Sequence, residues 1–211
     1  MFQYLAIEGP IGVGKTSLTR LLAKEFNARM ILEKPEDNPF LESFYQDRRK
    51  YAFQTQLFFL VNRFQQQKDI VQPHLFNQVT LADYLFAKDR VFASITLDDQ
   101  ELTLYEQIYT LLSVQIPSPD LVIFLQAKPE ALLHRIRSRG NSYEKEIDLD
   151  YLKTLTEAYN YFFFHYDETP LLIIDTTEID FVKRKEDLDQ LIREIKQMKK
   201  GTWYFVPRRT K

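Results

Sequence analysis

The stretch GPIGVGKT, residues 9–16, constrains this chain more than any other. It lies between an apolar run at residues 4–8 and a segment where Leu18, Leu21, Leu22 and Phe26 recur at helical spacing. The order predicted is strand, loop, helix. The eight residues fit G-x-x-x-x-G-K-[ST], a loop built to hold phosphate. Gly9, Gly12 and Gly14 let backbone N–H groups curl around an anion without Cβ clashes. The N-terminus of the following helix adds the positive end of its dipole. Lys15 reaches the β- and γ-phosphates, Thr16 offers a hydroxyl to Mg²⁺, and Val13 and Ser17 fall within the same cradle. The plain alternative is a glycine-rich strand-to-helix turn, which the flanking pattern disfavours. A nucleoside triphosphate is therefore the expected phosphoryl donor.

Further strands are predicted at residues 29–33, 78–83, 120–126 and 171–175. The segments between them read as helical: 40–71 with a break near 46–48, about 86–94, 99–114, a helix starting at Pro129, about 149–165, and a charged C-terminal helix. Strands alternating with helices predict an α/β fold with a five-stranded parallel sheet flanked by helices. In such sheets ligands bind at the carboxyl ends of the strands, where Glu8, Glu33, Asp83 and Gln126 fall.

Composition narrows the classes. The formal net charge of −2 gives no sign of a basic nucleic-acid surface, and no nucleic-acid partner is expected. The chain has no cysteine, so it has no disulfide and no thiolate metal site, which fits a reducing cytoplasm. No apolar run approaches the roughly 18 residues needed to span a bilayer, and no secretory signal is visible. A cytoplasmic protein without membrane association is expected.

The acceptor of the phosphoryl group must be read elsewhere. Transfer to a hydroxyl needs a base to orient it and cations over the moving group. Glu33, at the end of the second predicted strand, could take the proton; alternatively it is a solvated glutamate in an acidic loop. Arg135 and Arg139 share one helix face and could form a lid over phosphate, or could simply be a solvated basic helix end. Gln56 and Arg63, two helical turns apart on an aromatic-rich helix, suit a flat polar ring, although on pattern alone a polar stripe in water is the simpler reading.

The blocks IEGPIGVGKT, LEKPEDNPFLESFYQD, FQTQLFFLVNR, ADYLFAKDRVFA and LLHRIRSRGNSYEKEIDLDYL, in this order, resemble the deoxyribonucleoside kinases. The resemblance is especially to the bacterial deoxyguanosine and deoxyadenosine/deoxycytidine kinases. The resemblance implies a P-loop kinase fold in one domain, residues 1–211, with an Arg-rich lid at about 135–147. It also implies phosphorylation of a deoxyribonucleoside 5′-hydroxyl by ATP and Mg²⁺ in nucleotide salvage, and a homodimer. On this resemblance Glu33 is the general base, and Tyr45 and Glu144 hold the sugar 3′-hydroxyl. Gln56 pairs with the base, and Arg63 and Asp89 read its edge. Arg135 and Arg139 cover the phosphates, with Lys15 among the catalytic groups. Thr16 and Asp83 lie at Mg²⁺, Asp83 being near the acceptor as well.

The sequence departs from that pattern in places. Lys34 follows Glu33 where many relatives have proline, and Asn141 replaces a third lid arginine. Many relatives carry an acidic-Arg-Ser triplet where this chain has Asp83-Tyr84-Leu85. Tyr84 cannot supply positive charge, and Arg90 or Arg135 would have to compensate. Two other readings compete: a nucleoside monophosphate kinase of the same fold, and a nucleotide-binding regulatory protein without turnover. The first would need extra cations for an acceptor phosphate, whereas acidic Glu33 suits a neutral hydroxyl.

Overall fold

The computed structural model describes residues 2–68, 70 and 79–207. Six strands, β1 (Tyr4–Glu8), β2 (Arg29–Ile31), β3 (Thr80–Ala82), β4 (Leu121–Gln126), β5 (Leu171–Asp175) and β6 (Thr202–Phe205), form one sheet in the order β2-β3-β1-β4-β5-β6. Every pairing is parallel. The central strands YLAIE and LVIFLQ are nearly continuous apolar runs because helices cover both faces of the sheet. The predicted α/β class and parallel sheet are borne out, with one strand more than the five expected. The added β6, with sequence TWYF, is a largely exposed edge strand beside β5, so it lacks the buried apolar run that marked the others. Two predicted boundaries, residue 71 of the long helical segment and residue 78 of the third strand, lie outside the described residues.

Eight α-helices connect or flank the described strands: α1 (Lys15–Phe26), α2 (Leu41–Gln46), α3 (Arg48–Lys68), α4 (Lys88–Thr96), α5 (Asp99–Ser113), α6 (Pro129–Arg139), α7 (Leu149–Phe164) and α8 (Lys185–Gln197). The break expected near 46–48 is Asp47, which ends α2 just before α3 begins. Pro129 opens α6 with its fixed φ, and Gly140 ends it in the left-handed region at φ 75°. A single 3₁₀ turn, Ser142–Glu144, then leads towards α7.

The core lies between the sheet and these helices. Phe124 of β4 stacks on Phe163 and Tyr159 of α7, with ring centroids 4.0 and 6.0 Å apart. Strand order reverses around β1: the chain builds β2 and β3 on one side and β4 to β6 on the other. The carboxyl ends of β1, β3 and β4 therefore open onto one crevice, the usual ligand position in such a sheet.

Candidate active site

The loop after β1 occupies that crevice. Gly12 has φ 82°, and a Cβ there would meet Ile136 Cγ1 at 2.8 Å and the Leu132 carbonyl at 2.9 Å. The loop is thus pressed against α6, and only glycine fits. Gly9 is as tightly placed: a Cβ on it would lie 2.4 Å from the Leu125 carbonyl of β4. Beneath the loop, Glu8 is fully buried. It accepts hydrogen bonds from Gly9 N at 2.8 Å and Tyr159 Oη at 3.0 Å on one oxygen, and from Leu85 N at 2.8 Å on the other.

Lys15 donates to the carbonyls of Gly9 and Pro10, at 2.7 and 3.2 Å. Burial and then the neighbouring Lys88 ammonium bring its pKa down to about 8, against the opposing pull of Glu8, Glu33 and Asp83. Thr16 donates its hydroxyl to Asp83 Oδ2 at 2.6 Å, and Asp83 Oδ1 accepts Glu33 N at 2.7 Å. Burial raises the Asp83 pKa, an effect partly offset by these two donors. A threonine hydroxyl beside a carboxylate at a phosphate loop is a hard-oxygen donor set that fits Mg²⁺, which takes few protein ligands and completes its shell with phosphate oxygens and water.

Two cavities meet at this loop. One is lined by Glu33, Tyr45, Gln56, Arg63, Asp83, Lys88 and Glu144, with Phe44, Phe59, Phe92 and Tyr151 as apolar walls. The other is lined by residues 12–17, Arg135, Arg139 and residues 179–182. Gly12, Lys15, Thr16 and Arg139 belong to both.

In the first cavity Glu33 is held by two cations. Arg63 pairs with its Oε1, and Lys88 donates to Oε2 at 2.9 Å. Burial alone would push the Glu33 carboxyl up, but Arg63 and Lys88 outweigh it and hold the group well below the usual carboxylate range. Arg63 also pairs with Asp89, which is fully buried. The guanidinium lies 4.7 Å from the ring centroid of Phe59. Gln56 donates to Thr96 Oγ1 at 3.4 Å.

The lid residues pair among themselves. Arg139 Nε donates to Glu144 Oε2 at 3.1 Å, and its Nη2 engages the other carboxylate oxygen. Tyr45 stands across from Glu144 in the same cavity, its hydroxyl pushed well above the ordinary value by burial and then by Tyr151 and that carboxylate. Arg135 Nη2 donates to the Thr176 carbonyl at 2.6 Å, and its Nη1 to the Val13 carbonyl at 3.2 Å, bracing the loop against the end of β5.

Most residues singled out by sequence therefore converge on these two cavities. Asp89 does not line the acceptor cavity as expected. It is short and sits behind Arg63, so its charge reaches the cavity through the guanidinium. Arg90, a candidate replacement for the missing arginine, pairs instead with Glu106 at 2.9 Å and lines neither cavity. Lys88 was missed. Its sequence signal is a lysine four residues after Tyr84, and the non-helical stretch between Tyr84 and the start of α4 at Lys88 gives no periodicity from which to orient it.

The deoxynucleoside kinase family model matches residues 5–200. The chain belongs to this family. The kinase is 37% identical over 200 residues to a deoxyguanosine kinase of Bacillus subtilis, covering 92% of this chain and 97% of the relative. It is 31% identical over 210 residues to a deoxyguanosine kinase of Lactobacillus johnsonii, covering 93% and 94%. Among solved structures, the deoxyadenosine kinase of M. mycoides with bound dATP superposes with a TM-score of 0.81 at 25% identity, covering 92% of this chain and all of that one. The family is that of the resemblance read from the five sequence blocks, and the protein is an enzyme that phosphorylates deoxynucleosides.

Proposed function

We propose that the kinase transfers the γ-phosphoryl group of ATP to the 5′-hydroxyl of a purine deoxynucleoside or deoxycytidine, in nucleotide salvage. The observation that carries this reading is the meeting of the two cavities at Gly12, Lys15, Thr16 and Arg139. A donor in one and an acceptor in the other would bring phosphorus and hydroxyl together there.

On this reading residues 12–17 cradle the donor phosphates, with Lys15, Arg135 and Arg139 supplying charge. Thr16 and Asp83 hold Mg²⁺, which when bound would neutralise charge building on the β- and γ-oxygens. Glu33 stays ionised at neutral pH, accepts the 5′-hydroxyl in a hydrogen bond and takes its proton as the new phosphate ester forms. Tyr45 and Glu144 hold the 3′-hydroxyl. Phe59, Phe92 and Gln56 receive the base, and Arg63 with Asp89 behind it reads the edge. Arginine only donates, and guanine offers two acceptors, O6 and N7, on one edge. Thymine brings a C5 methyl group and an N3–H donor, which suits such a pocket poorly. The likeness to deoxyguanosine kinases supports a purine as well.

The segment at about 135–147 acts as a lid on a single domain. The kinase works as a cytoplasmic homodimer, a reading that rests on the family resemblance and on exposed apolar side chains such as Leu104 and Leu111 on α5 and Val114 just after it. No described helix is long and apolar enough to cross a membrane. The test is a panel: ATP, Mg²⁺ and each of the four deoxynucleosides, with the monophosphate products measured. A purine deoxynucleoside or deoxycytidine is expected as the best acceptor. Phosphorylation of monophosphates alone, or of nothing, would overturn the reading, and sedimentation at micromolar protein reads the oligomeric state.

A further inference from the structure

Lys88 is a buried ammonium with most of its hydrogen-bonding capacity unspent. It is 2% exposed at the first turn of α4 and lines the acceptor cavity beside Lys15, Glu33 and Asp83. An ammonium carries three donors. Among the described residues one of them goes to Glu33 Oε2, at 2.9 Å, and no other acceptor is bonded. Buried charges normally have their hydrogen bonds satisfied, and a lysine left short of acceptors deep in a ligand cavity calls for one from the ligand. Its location narrows the acceptor. Glu33 and Lys15 both line the same cavity, and Lys15 is close enough for the two ammonium groups to repel. Glu33 and Asp83 set negative charge beside that pair, and the further anion that passes between a base at Glu33 and a phosphate loop at Lys15 is the transferring phosphoryl group.

We propose that Lys88, anchored by one N–H on Glu33 Oε2, gives its remaining donors to the 5′-oxygen and to an oxygen of the transferring phosphoryl group. The proposal rests on the reaction proposed above. It also accounts for Tyr84, which occupies the position of an arginine in many relatives. Tyr84 is fully buried against Tyr4, Ile31 and Ala82, its hydroxyl donates to Gln66 at 3.0 Å, and its ring lies 6.0 Å from the Lys88 ammonium, so it packs beside that cation and brings no charge of its own. The positive charge arrives four residues further along the chain, at the first residue of α4. Arg135 lines the donor cavity and not the acceptor cavity that holds Glu33.

In the step itself the 5′-oxygen forms a bond to the γ-phosphorus, and the bond from that phosphorus to the β–γ bridging oxygen breaks. The electron pair leaves with the nucleoside diphosphate. The hydroxyl proton passes to the Glu33 carboxylate and then to water. Lys88 keeps its protons throughout and acts by charge and by direction, holding base, nucleophile and phosphoryl group in line.

The experiment compares Lys88→Gln and Lys88→Arg with the wild type in the full chain. Lys88→Gln should lower kcat by about 10²–10³-fold, the scale of removing one preorganised donor, with the KM values of both substrates little changed. Affinity for a nucleoside diphosphate–aluminium fluoride complex, measured calorimetrically with deoxynucleoside present, should fall in parallel, whereas affinity for the deoxynucleoside alone should hold. A purely structural ion pair would not separate those two affinities. Lys88→Arg should recover much of kcat. The proposal is overturned if Lys88→Gln turns over at near wild-type rate, or if its loss lies in KM alone. Should Lys88→Gln not fold, Lys88→Arg decides: turnover kept supports the cation, turnover lost overturns it. A wild type that phosphorylates no deoxynucleoside counts against the parent reading instead.

Discussion

Thr16 and Asp83, 67 positions apart, are joined by a 2.6 Å hydrogen bond that ties the first turn of α1 to the carboxyl end of β3. The bond exists because β3 pairs directly with β1, so its end lies beside the loop that β1 feeds. It brings a hydroxyl and a carboxylate together as hard-oxygen donors. Asp83→Asn keeps the shape but removes the charge. Turnover should fall and the Mg²⁺ concentration needed for half-maximal rate should rise, which a rate titration with Mg²⁺ at saturating ATP would reveal.

Lys15→Ala should remove most of kcat, by roughly 10²–10³-fold, because phosphoryl transfer depends almost wholly on positioned charge. Deoxynucleoside affinity should persist. In the intact enzyme, Lys15 with a pKa near 8 loses its proton as pH rises through that value. The rate at low ATP should therefore decline above pH 8. At saturating ATP the decline should move upward, since bound phosphate favours the charged amine. Initial rates across the alkaline range at two ATP concentrations check both limbs.

Glu33→Gln should reduce kcat by ~10²–10⁴-fold, the usual scale for a general base. Deoxynucleoside affinity should change much less. Stability carries a second signature. The folded pKa of Glu33 lies below its ordinary value of 4.5, so the unfolded chain binds the extra proton as pH falls. The stabilisation is fully present above about that value and is lost progressively below it. Urea midpoints of wild type and Glu33→Gln should thus differ at neutral pH and converge in acid. A constant gap would show that the carboxylate is not ion-paired in solution.

Specificity gives the fourth prediction. Thymidine should be the poorest of the four deoxynucleosides in kcat/KM. Asp89→Ala should damage discrimination as well as rate, because Arg63 loses the partner that fixes its guanidinium plane. Parallel kcat/KM measurements on both proteins decide the point, and thymidine emerging as best substrate would remove Arg63 from any role in reading the base.

The phosphate loop was readable from eight consecutive residues because its chemistry is local: glycines for backbone curvature, then lysine and threonine at the helix start. The strands YLAIE, LVIFLQ and LLIID were equally plain as unbroken apolar runs. What stayed hidden depends on contacts between distant segments. Gln56 and Arg63 could be put on one helix face, but not Arg63 on Glu33, 30 positions earlier. Arg135 and Arg139 were placed as a pair, yet one braces the loop carbonyls and the other engages Glu144. The sequence marks an arginine as missing at Tyr84 but does not point to Lys88, which pairs with Glu33 alongside Arg63, because the rotation of α4 is set by packing against α3 and α7.

Glu8 sits at the junction of three segments: the phosphate loop at Gly9, the chain beyond β3 at Leu85, and α7 at Tyr159. A single carboxylate thereby serves as the datum from which the spacing of the two half-sites is measured. The calibration of the site resides in one buried side chain that lines neither cavity.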